Sequence, residues 1–231
     1  MNVFALGDPH LSGEPPSKPM YIFGEHWRGH WEKLKADWEK KVTDEDAVLL
    51  VGDISWAMKW QDALVDLEAI AALPGQKYLI RGNHDYWWQT IGKMQRLAPP
   101  SLHFMQNNFY ELPEKNLALC GTRGWMLPQD PNFKEADQAI FDREVLRLDA
   151  SLAAARKSGN SQMIVLLHYP PLFSPTDQNK ILDLIDTYEV THCLYGHLHD
   201  QSVKGAFQGK RNETTYHLVS CDSLNFTLKQ I

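Results

Sequence analysis

The chain lacks any long apolar run. None approaches the ~20 residues that a membrane-spanning helix needs, so no membrane-embedded function is expected. It also shows no basic region, apolar stretch or cleavage site ahead of its first strand, so a secretory signal is not expected and a cytoplasmic location is. Cysteine is scarce: three residues, Cys120, Cys193 and Cys221, each in or beside an apolar segment. An odd, unclustered set excludes a disulfide framework and points to a reducing compartment. The three thiols are read as buried small hydrophobes.

Positive charge is not in surplus either. Lys and Arg number 23 against 29 Asp and Glu, a formal net charge of -6. A protein that tracks a nucleic-acid backbone carries a basic stripe. Here Lys33, Lys35, Lys40 and Lys41 are interleaved with Glu32, Asp37 and Glu39, the pattern of a solvated helix face. There is no strong nucleic-acid signal, and no basic or amphipathic membrane-surface element. No repeat, low-complexity tract or break in composition divides the chain, so residues 1–231 are expected to form one domain.

What the chain has is a sufficient core. Its 231 residues are 43% hydrophobic and 23% charged, ordinary values for a globular protein. Short apolar runs alternate with helical patterns through the first half. Strands are expected at 2–7, 47–51, 77–81, 117–120, 163–167 and 192–195, and helices near 25–41, 61–73, 87–97, 134–158 and 178–188. Trp27, Trp31, Leu34 and Trp38 recur at helical spacing. The 203–230 tail, with 215–220 and 226–228, reads as antiparallel strands. Helices between the early strands favour a sheet with helices packed on it. The pattern leaves open whether the tail extends that sheet or begins a second.

Five of the apolar runs end in clusters of Asp, His or Asn: Asp8-Pro9-His10, Gly52-Asp53, Gly82-Asn83-His84-Asp85, His168-Tyr169-Pro170-Pro171 and Gly196-His197-Leu198-His199. In α/β sheets, chemistry sits past the carboxyl ends of buried strands. Asp8 and Asp53 are hard anionic oxygen donors, Asn83 a neutral one. His10, His168, His197 and His199 are borderline nitrogen donors. A mixed N/O set suits Mn, Fe, Zn or Co better than Mg or Ca. Seven ligands exceed what one transition ion takes and suit two ions sharing a carboxylate. Two-metal sites clamp the oxygens of an in-line displacement, so the residues point to a phosphate-ester hydrolase.

The ordered set Asp-x-His, Gly-Asp, Gly-Asn-His-Asp, His-x-Pro and Gly-His-x-His, spanning residues 8 to 199, resembles the calcineurin-like metallophosphoesterase superfamily. The resemblance implies an α/β four-layer sandwich, two facing mixed β-sheets flanked by α-helices, which resolves the question left by the tail. It implies two divalent or trivalent transition-metal ions (Mn, Fe or Zn). One would be held by Asp8, His10, Asp53 and His199, the other by Asp53, Asn83, His168 and His197, with Asp53 bridging. His84 would be the catalytic group over the substrate and Asp85 its orienting partner. The implied reaction is in-line attack by a metal-bridged hydroxide. Many members carry an acidic residue where this chain has Trp56, so the local loop and substrate contacts are expected to differ.

Four further residues are candidates for substrate contact. Trp56 and Trp87 follow strand ends, where aromatic rings stack on a base or sugar, or simply exclude water. Arg123 follows a strand and suits bidentate phosphate contact; an ordinary salt bridge is the competing role. His26 and His30 share helical spacing without the Glu of a zinc-protease motif. They read as helix histidines, or His26 reaches substrate if this early insert folds over the cleft. The expected activity is that of a phosphodiesterase on a small phosphodiester or nucleotide. The alternatives are a phosphomonoesterase, protein phosphatase or nuclease of the same fold, or a non-catalytic protein-binding scaffold. The sequence does not specify an oligomeric state.

Overall fold

The computed structural model describes all residues, Met1–Ile231. Eleven strands and five α-helices follow in the order β1 (Val3–Leu6), α1 (His30–Lys41), β2 (Ala47–Val51), α2 (Trp60–Ala71), β3 (Gln76–Ile80), α3 (Ile91–Leu97), β4 (Leu102–Met105), β5 (Phe109–Leu112), β6 (Leu117–Thr122), α4 (Glu135–Lys157), β7 (Gln162–Leu167), α5 (Lys180–Thr187), β8 (His192–Tyr195), β9 (Gly209–Arg211), β10 (Thr214–Leu218) and β11 (Lys229–Gln230). One sheet has the order β11-β1-β2-β3-β4, the other β5-β6-β7-β8-β10-β9. Strands β1 to β4 are parallel and β11 pairs antiparallel at the edge. In the second sheet β6, β7, β8 and β10 are parallel, with antiparallel β5 and β9 outside them.

The apolar strands split their side chains between two faces, as period-2 geometry requires. Val48 and Leu50 of β2 join the core under the first sheet's helices, with Trp38 of α1 and Leu67 of α2. Ala47, Leu49 and Val51 face the other way and meet Leu119, Ile164, Leu166 and Leu194 of the second sheet. Behind that sheet, Val165 and Cys193 pack on Phe141 and Leu148 of α4 and Ile185 of α5. Three apolar layers therefore separate helix, sheet, sheet and helix, and the fold is the expected four-layer sandwich. No helix is long and apolar enough to cross a membrane.

Several expected elements differ. The helix expected at 25–41 starts at His30, because Gly29 adopts a left-handed φ of 64°; residues Glu25–Trp27 form a separate 3-10 turn. The helix expected from residue 87 starts at Ile91. Strands β4 and β5 were not anticipated, since each is four residues long. Within the tail β9 and β10 pair antiparallel as expected, but β10 joins the second sheet parallel to β8. Residues 226–228 are not a strand: Phe226 has a φ of 58°, and pairing resumes only at Lys229.

Candidate metal centre

Every carboxyl end that faces the same crevice delivers part of the site: β1 leads to Asp8 and His10, β2 to Asp53, β3 to Asn83 and His84, β7 to His168, and β8 to His197 and His199. The two sheets are stitched together there. The Gly7 N–H donates to Val219 O at 2.6 Å, and the His197 N–H donates to Asp8 Oδ2 at 3.1 Å. Gly7 bridges to Ser220 of the tail. Asp8, Asp53 and His168 are buried, as is His10.

The backbone at this crevice is unusual. Asp8, His10, Asp53 and His197 all have positive φ, between 48° and 72°. Such conformations are sparse outside glycine and cluster at functional sites. Two glycines are required by close approach. A Cβ on Gly82 would lie 2.0 Å from Asp53 Oδ1, and one on Gly196 would lie 2.5 Å from Asp8 Oδ2.

The donor atoms of the expected set converge in two groups, Asp8–His10–His199 and Asp8–Asp53–His168, and a third, more exposed group, His26–Asp200–Asp222, lies beside them. His10 Nε2 lies 3.8 Å from Asp53 Oδ2, and His168 Nε2 lies 3.5 Å from the same oxygen. Asp53 thus faces both halves of the site. The His168 ring fixes its own tautomer: Nδ1 donates to the Val51 carbonyl at 3.0 Å. Its Nε2 is then a lone pair, yet it faces Asn83 Oδ1 at 2.7 Å and His197 Nδ1 at 3.2 Å. Lone pairs converging on one point call for a cation between them.

Electrostatics agree with that reading. Burial, with the neighbouring Asp8, pushes Asp53 up to about 8, so two adjacent buried carboxylates are not both comfortable as anions without a cation. Burial holds His10 and His168 below the usual histidine value and takes His197 down to about 3, leaving neutral rings able to ligate. His199 differs. Burial lowers it, but Asp8 and Asp222 outweigh that and push it up to about 10. This ring draws positive charge to its Nε2, which is buried, without a hydrogen-bond partner, and 3.5 Å from Asp8 Oδ1. His10 Nδ1 is likewise buried and unpartnered. The residues fit a transition-metal pair.

Asp222 is the residue that sequence reasoning missed. Its Oδ1 accepts from His199 Nδ1 at 2.9 Å and its Oδ2 from the Asp200 N–H at 3.0 Å. It sits on a turn after β10, held by Cys221 N–H to Gly7 O at 3.0 Å. No spacing rule ties it to the five clusters, and no sequence signal marked it.

The remaining candidates divide. His84 stands at the cleft: its N–H donates to Asp53 Oδ1 at 2.8 Å and its ring lies 4.3 Å from that of Trp56. Trp56 also stacks on His10, 4.7 Å away with 17° between planes. Asp85 does not orient His84. Its carboxylate accepts from the backbone of Ile54, Ser55 and Gly82 and from the Trp87 indole, so it fixes the two ligand loops to each other. Trp87 is correspondingly buried beneath the site, 1% exposed, and cannot touch substrate. His26 pairs with Asp200, Nε2 to Oδ1 3.0 Å, at the mouth. The His30 Nε2–H donates to Pro9 O at 2.9 Å. Arg123 lies 4.4 Å from the Trp125 ring and 3.9 Å from buried Glu144. Its charge still reaches Asp53, and its carbonyl accepts the His168 and Tyr169 N–H groups.

A family model described as calcineurin-like phosphoesterase matches residues 1–201. No curated protein matches the chain significantly. Among solved structures, it is similar to TT1561 of Thermus thermophilus, at 13% identity and a TM-score of 0.62, with 99% of this chain and 97% of that chain covered. It is also similar to AQ665 of Aquifex aeolicus, titled a protein of unknown function, at 13% identity and a TM-score of 0.54, covering 99% and 95%. At that identity the likeness concerns the fold alone.

Proposed function

The chain belongs to the calcineurin-like phosphoesterase family, and from that premise we propose that it is a dinuclear metal-dependent phosphodiesterase acting on a small phosphodiester or nucleotide. One observation carries the reading: five strand ends from two sheets aim seven N and O donors at one crevice, with Asp53 facing both halves. In this reading Asp8, His10, Asp53 and His199 hold one ion, and Asp53, Asn83, His168 and His197 the other. When bound, such a pair lowers the pKa of water toward ~7 and offsets the charge of an in-line displacement.

The chain's own groups do the rest. Asp222 keeps the proton of His199 on Nδ1, and Val51 does the same for His168, so both Nε2 atoms stay free to ligate. Burial holds His84 below the ordinary histidine value. A neutral ring carries one N–H, which can donate to a phosphoryl oxygen or pass a proton to the leaving oxygen. The mouth, about 180 Å³, is walled by Trp56, Phe23 and Met20 beside His84 and His199. That size supports a small ester over a polymer. In this reading Arg123, whose buried Nε has no hydrogen-bond partner, would offer an N–H to a phosphoryl oxygen. Three free buried cysteines suit a cytoplasmic enzyme.

The test is hydrolysis of bis(p-nitrophenyl) phosphate and p-nitrophenyl phosphate by protein stripped with chelator and reloaded with Mn²⁺. Turnover that needs metal and favours the diester is expected. A monoester preference would replace the diesterase reading with a phosphatase. Loss of both turnover and metal retention would leave the scaffold reading in its place.

A further inference from the structure

The segment from Leu11 to Trp27 folds across the mouth of the metal centre, and its anchoring is specific. Leu11 bridges to Ser55. The Gly13 N–H donates to Asp66 Oδ1 at 2.8 Å, while Asp66 also accepts the Ser55 hydroxyl. Ser12 then closes a loop around one residue: its Oγ accepts the Lys18 N–H at 3.1 Å and donates to the Lys18 carbonyl at 3.0 Å. The Ser17 N–H returns to Ser12 O at 2.8 Å. This loop therefore fixes where Lys18 leaves the backbone.

From there the Lys18 ammonium reaches the indole of Trp56, 3.1 Å from the ring centroid, and stands 5.1 Å from that of Phe23. Trp56 is the same ring that His84 leans on at 4.3 Å, so one indole carries both the His84 imidazole and a cation. The neighbouring cation, Arg28 just past this segment, is already engaged, being paired with Glu25. Asp200, the acid at the mouth, is paired with His26. Lys18 has no carboxylate partner and no hydrogen-bond acceptor for its N–H groups. A cation held on an aromatic face keeps its outward N–H groups for a ligand.

Stacking of a nucleobase on Trp56 is the competing use of this ledge. With His10 stacked on the indole and the ammonium standing over it, Trp56 offers no free face to a base. We propose that Lys18, held over Trp56 beside His84, forms a leaving-group subsite that recognises a second anionic group, so that the favoured substrates are phosphodiesters whose leaving group itself bears a phosphate, phosphonate or carboxylate. This rests on the phosphodiesterase reading and adds the substrate class. A lysine at a half-open site contributes a charge-assisted hydrogen bond to such a group, about tenfold in kcat/KM.

The experiment uses a matched pair: methyl p-nitrophenyl phosphate, and the same ester with a phosphonomethyl group on the leaving ring. The wild-type protein with Mn²⁺ is expected to favour the anionic ester about tenfold in kcat/KM, mostly through KM. Lys18→Ala should bring that ratio close to one, Lys18→Arg should keep it, and Trp56→Glu should erase it by pairing with Lys18. A wild-type ratio of one or less, or a ratio unmoved by Lys18→Ala, would overturn the proposal. If neither ester turns over, the phosphodiesterase reading fails by itself, and calorimetry decides the subsite separately. The phosphonomethyl nitrophenol should bind the wild-type protein about tenfold more tightly than Lys18→Ala; equal affinity overturns the subsite.

Discussion

Replacing Asp222 by Ala should weaken metal binding without removing any ligand. The carboxylate is nearly buried, its side chain 4% exposed, and sits 2.9 Å from His199 Nδ1. It does two things for that ring. It holds the proton on Nδ1, leaving Nε2 to face Asp8, and its charge raises the basicity of the nitrogen that ligates. Partners of this kind are typically worth 10–100-fold in metal affinity, or about 1.4–2.7 kcal/mol at 1.36 kcal/mol per tenfold. Ala also frees the Asp200 N–H held by Oδ2, so the loss belongs at the upper end. Asn keeps an acceptor but not the charge, so Asp222→Asn should lose about tenfold. The assay is calorimetric titration of chelator-stripped protein with Mn²⁺. One of two binding events should weaken while the other changes little, and excess Mn²⁺ should restore most turnover, because His84 and all seven ligands remain. Two binding events unchanged in Asp222→Ala would refute the argument that this contact orients His199.

Three other outcomes follow from the same geometry. His84→Ala should leave the bound metal content unchanged by elemental analysis and lower kcat on an activated diester about 10²-fold, the lower range for a positioned acid–base group. Gly82→Ala forces a Cβ to 2.0 Å from Asp53 Oδ1, so it should cost metal binding and lower the Tm measured by calorimetry, whereas Gly205→Ala, with nothing within 4 Å, should do neither. His217 lies outside the site, 3.0 Å from His192, and burial, with Lys229 and His192, lowers its pKa to about 4. Between the unfolded value near 6.5 and about 4 the unfolded chain binds the extra proton, so stability falls as pH drops through that window. With solvent screening the term is about 1 kcal/mol at pH 5. His217→Gln should therefore lose less Tm than the wild type between pH 7 and 5; parallel losses would contradict it.

The convergence of the donor side chains was legible because each follows a short apolar run, and a buried strand delivers whatever comes after it to the sheet's carboxyl edge. Asp8, His10, Asp53, Asn83, His168, His197 and His199 needed no long-range information beyond that. What the sequence hid depends on crossings between segments. Asp222 reaches His199 only because the tail after β10 turns back onto Gly7 and Asp8. Asp85 sits beside His84 in sequence, yet its carboxylate turns toward the backbone of residues 54, 55 and 82, so adjacency misled. Trp87 shares the Trp56 pattern of a ring just past a strand end, but its indole N–H is drawn down to Asp85. Strand direction is equally non-local: the alternation in β10 specifies two faces and leaves parallel or antiparallel pairing with β8 undetermined. The left-handed residues at Asp8, His10, Asp53 and His197 carry no signature either, since the surrounding ligand loops impose them.

The central claim is that the two sheets hold two ions that share Asp53, and metal stoichiometry tests it most directly. Elemental analysis of protein stripped and then dialysed against Mn²⁺ should give about two ions per chain, and Asp53→Asn should lose both together, since Asp53 faces His10 and His168 alike. One ion or none in the wild type, or two retained by Asp53→Asn, would contradict the account.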